Sequence, residues 1–129
     1  MNEPPATRSV TLGSWLSGLS DERLIRLLQV RPDLAQPAPG SIAALAARAL
    51  APQSIKAAAE ELDYLRLALL DGLLVLGADR EAVPVEVLST VVGDRSSADA
   101  LREALEDLRE RALAWGDAEI RVSPEAAAA

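Results

Sequence analysis

The sequence predicts a mainly α fold: an N-terminal helical section, with a helix-turn-helix as one reading, packed on a C-terminal winged-helix unit with one small β-hairpin. Three observations lead there. Apolar residues recur at helical spacing along most of the chain. Half of the 129 residues are apolar, and Ala and Leu, both strong helix formers, dominate that half. Residues 63–123 read as three helices followed by a hairpin, the order of a winged helix. A chain of this length holds one compact domain or two very small ones sharing a core.

Met1 to Val10 reads as a loose lead-in, with Pro4-Pro5 blocking an early helix. Thr11 caps a short helix through Leu16, turning Trp15 and Leu16 inward, and Gly18 ends it. Ser20 caps the next, with Asp21 and Glu22 in the first turn and Leu19 and Leu24 placed as a hydrophobic staple. Leu24, Ile25, Leu27 and Leu28 are expected to face the core, and Pro32 stops the helix near Val30. Residues 32–40 read as a linker. Ser41 caps a helix with Ile42, Leu45, Ala46 and Ala49 in register; Pro52 breaks it, and a third short helix runs from Ser54 to Leu62. That pair is either a helix-turn-helix or a plain αα-hairpin. The section 11–62 closes there.

In the unit 63–123, Asp63 caps a long apolar helix over 64–76 that Gly77 terminates. Pro84 suits the first turn of a helix running to about Val92, with Gly93 after it. Ser96 or Ser97 caps the last helix, whose Leu101, Ala104, Leu105, Leu108 and Ala112 share one face. Leu113 to Trp115 and Glu119 to Val122 form strands joined by a turn at Gly116-Asp117-Ala118. Residues 124–129 are expected to fray as a disordered Ala-rich tail.

The helix that should enter DNA is acidic. From Ala98 to Arg111 it carries Asp99, Glu103, Glu106, Asp107 and Glu110 against Arg102, Arg109 and Arg111, a balance that repels a phosphate backbone. Net charge is −7: zero over 1–62, −3 over 63–93 and −4 over 94–129. A domain that lives on nonspecific nucleic-acid affinity has the opposite sign, although a mildly acidic surface also simply keeps a small protein dispersed. Asp99, Glu103, Glu106 and Glu110 are therefore a candidate face for a basic protein partner, with a solvated, salt-bridged face as the alternative. The Ala-rich faces of helices 42–50 and 54–62 offer a second packing surface, or the domain's own core.

Positive charge is not outweighed in the N-terminal section. Arg23 and Arg26 share a helix face, Arg31 lies just beyond its end, and Arg48 and Lys56 mark the following pair. These are candidate nucleic-acid contacts or scattered solubilising charges. Trp115 could stack on a base, worth ~1–3 kcal/mol, or pack onto the preceding helix.

The chemistry of catalysis is missing. Without cysteine or histidine there are no thiols, imidazole bases or conventional zinc ligands. No Gly-rich loop ends in Lys-Ser/Thr, and Lys56 is the only lysine. Glu103 and Glu106–Asp107 share a face, but arginines interleave with them. No enzyme, cofactor or metal site is expected. The stretch Tyr64–Leu76 holds Arg66 and Asp71 and falls short of the ~20 residues a membrane span needs. With neither a disulfide framework nor a signal peptide, a cytoplasmic location is expected, near the nucleoid if DNA is involved.

Several segments carry a family resemblance. They are Leu12-Gly13-Ser14-Trp15-Leu16, Leu19-Ser20-Asp21-Glu22-Arg23-Leu24, Arg31-Pro32-Asp33-Leu34, Pro39 through Ala49, and Leu62 through Asp71. In that order they resemble actinobacterial helicase-associated domain proteins, similar to the N-terminal region associated with XPB-type DNA helicases. The resemblance spans roughly residues 11–123 and implies a link to a superfamily 2 helicase in DNA repair or transcription. It implies no motor activity, no transferable site residues, and a chain that is an N-terminal portion or a short version of longer relatives. The resulting expectation is a non-enzymatic accessory module with a protein partner and weak or no direct DNA binding. A winged-helix DNA-binding regulator and a structural homodimer module are the alternatives.

Overall fold

Side-chain oxygens open four of the helices, each by accepting the backbone N–H three residues on: Thr11 from Ser14 at 3.1 Å, Ser20 from Arg23 at 3.2 Å, Ser41 from Ala44 at 3.1 Å and Asp63 from Arg66 at 3.0 Å. The computed structural model describes residues 11–36, 38–88 and 98–128. The expected lead-in, the far part of the helix to Val92, Gly93 and the caps at Ser96 or Ser97 lie outside them. Among the described residues the α-helices are α1 (Leu12–Ser17), α2 (Asp21–Val30), α3 (Ile42–Ala49), α4 (Pro52–Ala59), α5 (Tyr64–Val75) and α6 (Ala98–Glu110). Three short strands, β1 (Val83–Pro84), β2 (Ala114–Trp115) and β3 (Glu119–Val122), form an antiparallel sheet in the order β1-β3-β2. The chain is thus mainly helical with a small three-stranded sheet, and no described helix is long and apolar enough to cross a membrane.

Both α5 and α6 end in the same paired hydrogen bonds. Gly77 donates to Leu74 O at 3.0 Å and Ala78 to Leu73 O at 2.9 Å; Ala112 donates to Arg109 O at 3.0 Å and Leu113 to Leu108 O at 2.9 Å. This closure needs a left-handed residue. Gly77 (φ 85°) supplies it freely, whereas Ala112 (φ 55°) bears a Cβ there. The turn at Ala112 redirects the chain from α6 into β2.

Among the described residues two buried apolar clusters make up the interior. One joins Leu12, Leu16, Leu27, Leu34, Leu45 and Ala49 to Ala112 and Trp115. The other joins Ile55, Ala59 and Leu62 to Leu69, Leu73, Leu105, Leu108, Ile120 and Val122. Each draws from both ends of the chain: α6 and β2 seat against the N-terminal helices, while α4 packs with the C-terminal half. Leu101, Ala104, Leu105, Leu108 and Ala112 are all buried, as their spacing predicts.

The structure corrects the sequence reading in five places. Pro84 pairs with Glu119 as the end of β1 rather than opening a helix, and Val85–Val87 then makes a 3-10 turn. An edge strand tolerates proline because one side needs no donor. Residues 32–35 are a 3-10 turn with Leu34 fully buried, not a linker. Helix α4 begins at Pro52, where the missing N–H costs nothing, so Ser54 is a buried helical residue instead of its start. The expected frayed tail is a 3-10 helix over Pro124–Ala128 with Ala126 buried and packed in the second cluster. Ile25 is 55% exposed, because only Leu27 of α2 is fully buried and Leu24 and Leu28 flank it.

Candidate functional site

The acidic face of α6 and the basic face of α2 meet. Arg23 Nη2 lies 2.8 Å from Glu106 Oε2, and Arg26 Nε lies 3.4 Å from Glu110 Oε1. Glu106 also holds Arg109 at 3.2 Å. Arg109 in turn donates to the Gly116 carbonyl at 2.8 Å and to that of Asp117, so this network ends on the hairpin turn. At the other edge of α6, Arg66 of α5 pairs with Asp107 and, at 2.9 Å, with Asp63. Partial burial works against the Arg66 charge, but Asp107, Asp63 and Glu103 outweigh it and hold the guanidinium above its ordinary range.

Of the four acidic candidates, Glu106 and Glu110 are therefore engaged within the chain. Among the described residues, Asp99 is bound only by its own-helix neighbour Arg102 at 2.7 Å, with both side chains mostly exposed, and Glu103 is exposed.

The cationic candidates divide similarly. Arg23 and Arg26 form the α2–α6 clasp. Arg31, drawn from the sequence as a surface charge, is only 1% exposed. It donates to Arg111 O and Ala49 O, both at 2.9 Å, and to Ser54 Oγ at 2.7 Å; Ser54 passes the contact to Asp33 Oδ2. Desolvation pushes its pKa down to about 10, with Asp33 opposing the shift, so Arg31 stays charged at neutral pH. It is a structural tie between α2, α3, α4 and the end of α6. Trp115 is 4% exposed, packed in the N-terminal cluster, and has no face open to a base. Arg48 donates to Leu34 O at 2.7 Å, and Lys56 is exposed on α4. These placements remove Arg31 and Trp115 as surface contacts and occupy Arg23 and Arg26.

Two features escape the sequence reading. Tyr64 (79% exposed), Leu67 and Val75 (81% exposed) lie with Asp71 along one solvent-facing stripe of α5, at i, i+3, i+7 and i+11. Their spacing was the available signal, hidden because α5 is apolar on every side. The second feature is a groove of about 790 Å³ along α4, bounded by Arg48, Arg111, Asp33, Ser54 and Glu61 over buried Arg31. Its residues come from four separate segments, so no local pattern announces it. Among the described residues no group of three metal-ligating side chains converges.

No family model matches the chain, and neither a curated protein nor a solved structure matches it.

Proposed function

We propose that this chain is a non-enzymatic interaction module of a DNA-repair or transcription assembly, linked to an XPB-type helicase, with a winged-helix unit over 63–123. The setting comes from the sequence resemblance. The winged-helix reading is supported by the order helix α5, strand β1, helix α6, strands β2 and β3, and by β3 lying between the other two.

One observation carries the functional reading. The helix that a winged helix would place in the DNA groove turns its acidic face to α2 and is clasped there by Arg23 and Arg26. Reading DNA with α6 would require breaking that contact and bringing uncompensated carboxylates to phosphate. A protein partner faces no such conflict. The α5 stripe of Tyr64, Leu67 and Val75 gives it an apolar anchor, since exposed aromatic and aliphatic groups on one ridge suit a partner's pocket. Asp63, Asp71 and Glu103 supply an acidic rim, which favours a partner whose apolar patch is flanked by Lys or Arg.

The test uses the purified XPB-type helicase encoded in the same genome, titrated calorimetrically with this chain. Saturable binding that Val75→Asp abolishes is the expected result; no heat of binding overturns the helicase link. Anisotropy of labelled duplex, forked and single-stranded DNA should stay flat at low salt. Micromolar binding with a negative salt slope would instead favour the DNA-binding regulator, and twice the monomer mass in solution would favour the homodimer.

A further inference from the structure

We infer that the solvent-facing stripe of α5 seats one amphipathic helix of the partner, and that Asp71 selects a helix with an arginine in the middle of its apolar seam. This rests on the stripe being the partner's seat, as proposed above, but not on the partner being a helicase. Tyr64, Leu67, Asp71 and Val75 follow one another at steps of three, four and four residues, close to the spacing of a seam between two packed helices. Tyr64 and Val75 are 79% and 81% exposed and Leu67 is 42% exposed, while the small side chain of Ala68 on the same face lets a second backbone approach. The row climbs about 16 Å in its three steps, and a second helix presents side chains at the same interval. An extended strand presents one every ~6.7 Å on a face and slips about 4 Å over those steps. A helix fits the row; a strand does not.

Asp71 decides what that helix must carry. Its exposed carboxylate makes no ion pair or hydrogen bond among the described residues, and it lies between Leu67 and Val75. A partner that covers those two also takes Asp71 out of water, which is costly unless a cation meets it. Arg66, the basic residue of α5, is turned to Asp63 and Asp107 and cannot serve. Exposed Glu60, Glu61 and Asp63 add negative charge at the N-terminal end, and Arg80 beyond the other end is flanked in sequence by Asp79 and Glu81. The compensating charge therefore comes from the partner. Arginine suits the place because its planar fork is weakly hydrated and pairs a carboxylate bidentately. A second copy of this chain lacks that cation. In a parallel pair Asp71 would face Asp71, and in an antiparallel pair about the middle of the stripe the two would still lie within a turn of each other. One polar residue in such a seam also fixes the register of pairing.

The test titrates the intact chain into two fluorescent, helix-stapled peptides long enough to span the stripe. Both carry leucine at the outer seam positions; the central one is arginine in one peptide and aspartate in the other. Anisotropy should show the arginine peptide binding at least about tenfold more tightly, ~1.4 kcal/mol. Val75→Asp should abolish binding of both, and Asp71→Lys should reverse the preference. Equal affinities, no binding of either peptide, or a preference that survives Asp71→Lys would each overturn the assignment. So would a concentration-dependent dimer in sedimentation that Val75→Asp removes, which gives the seat to a second copy. The wild-type comparison of the two peptides decides the matter even if a variant fails to fold. Peptide selection beside a silent helicase titration would remove the helicase link alone, whereas helicase binding beside indifferent peptides would remove the arginine seam alone.

Discussion

Arg23 on α2 meets Glu106 on α6 at 2.8 Å across 83 residues of sequence, so the two charged faces that look like separate binding surfaces are partners of each other. The contact is about half exposed on both sides, which limits its worth to ~0–1 kcal/mol. In a double-mutant cycle read by urea denaturation, Arg23→Ala and Glu106→Ala should show a coupling of ~0.2–1 kcal/mol. The coupling should fade in ~1 M salt, where the screening length is ~3 Å. Coupling that survives salt would mean the clasp is held by something other than charge.

Arg31→Met should be far more costly. It keeps much of the volume but strips the Ala49 and Arg111 carbonyls and the Ser54 hydroxyl of their donor in a buried site. Each buried acceptor left without its donor costs ~1–3 kcal/mol, measured together as a drop in urea midpoint at unchanged slope. The pH dependence has a definite sign. With the folded pKa lowered to about 10, both states are protonated below that value, so the gap between wild type and variant is flat around neutrality. Above about 10, the unfolded chain, whose guanidinium keeps its ordinary higher value, binds more protons. Wild-type stability then rises relative to the variant, and the gap widens. A gap that narrows there would contradict the lowered value.

Gly116→Ala tests the hairpin. Gly116 has φ 104°, and an added Cβ would overlap the Glu119 carbonyl oxygen, a backbone atom that cannot swing aside. Strain and displacement together should cost ~2–3 kcal/mol, and should disturb the Trp115–Arg121 and Ala114–Val122 pairs. At Gly77 the same change meets only the flexible tip of Arg80 at 3.1 Å, so Gly77→Ala should cost less, ~1 kcal/mol. The ordering of the two by thermal denaturation is the check.

What was legible in the sequence was local. The caps at Thr11, Ser20, Ser41 and Asp63 and the stop at Gly77 each rest on one side chain and its immediate backbone, and all appear as read. Strand β1 was not legible, because two residues show no alternation and Pro84 argues for a helix start as well as for an edge strand. The stop after α6 falls on an alanine in the left-handed region, which no sequence rule favours. The candidate site suffered most. Whether Arg31 is a surface cation or a buried tie depends on Ala49, Ser54 and Arg111, which tertiary packing brings to it. The pairing of Arg23 with Glu106 likewise depends on how α2 crosses α6.

The α5 stripe and the outer acidic residues make opposite predictions, and that contrast separates partner binding from charge alone. Tyr64 and Val75 are 79% and 81% exposed, so Tyr64→Ser and Val75→Asp should change folding stability by no more than ~0.5 kcal/mol. If the stripe anchors the helicase, each should still weaken binding strongly, because truncating a buried interface aromatic or aliphatic anchor costs ~2 kcal/mol or more, roughly 30-fold. Asp99→Lys and Glu103→Lys sit at the rim, where reversal alters mainly the rate of encounter and its salt dependence. Calorimetry and surface-plasmon kinetics on the same four variants distinguish the cases. Loss at Tyr64 and Val75 through faster dissociation places the anchor on α5. Loss confined to Asp99 and Glu103 would return the interface to the outer face of α6, beyond the clasp that Arg23 and Arg26 already occupy.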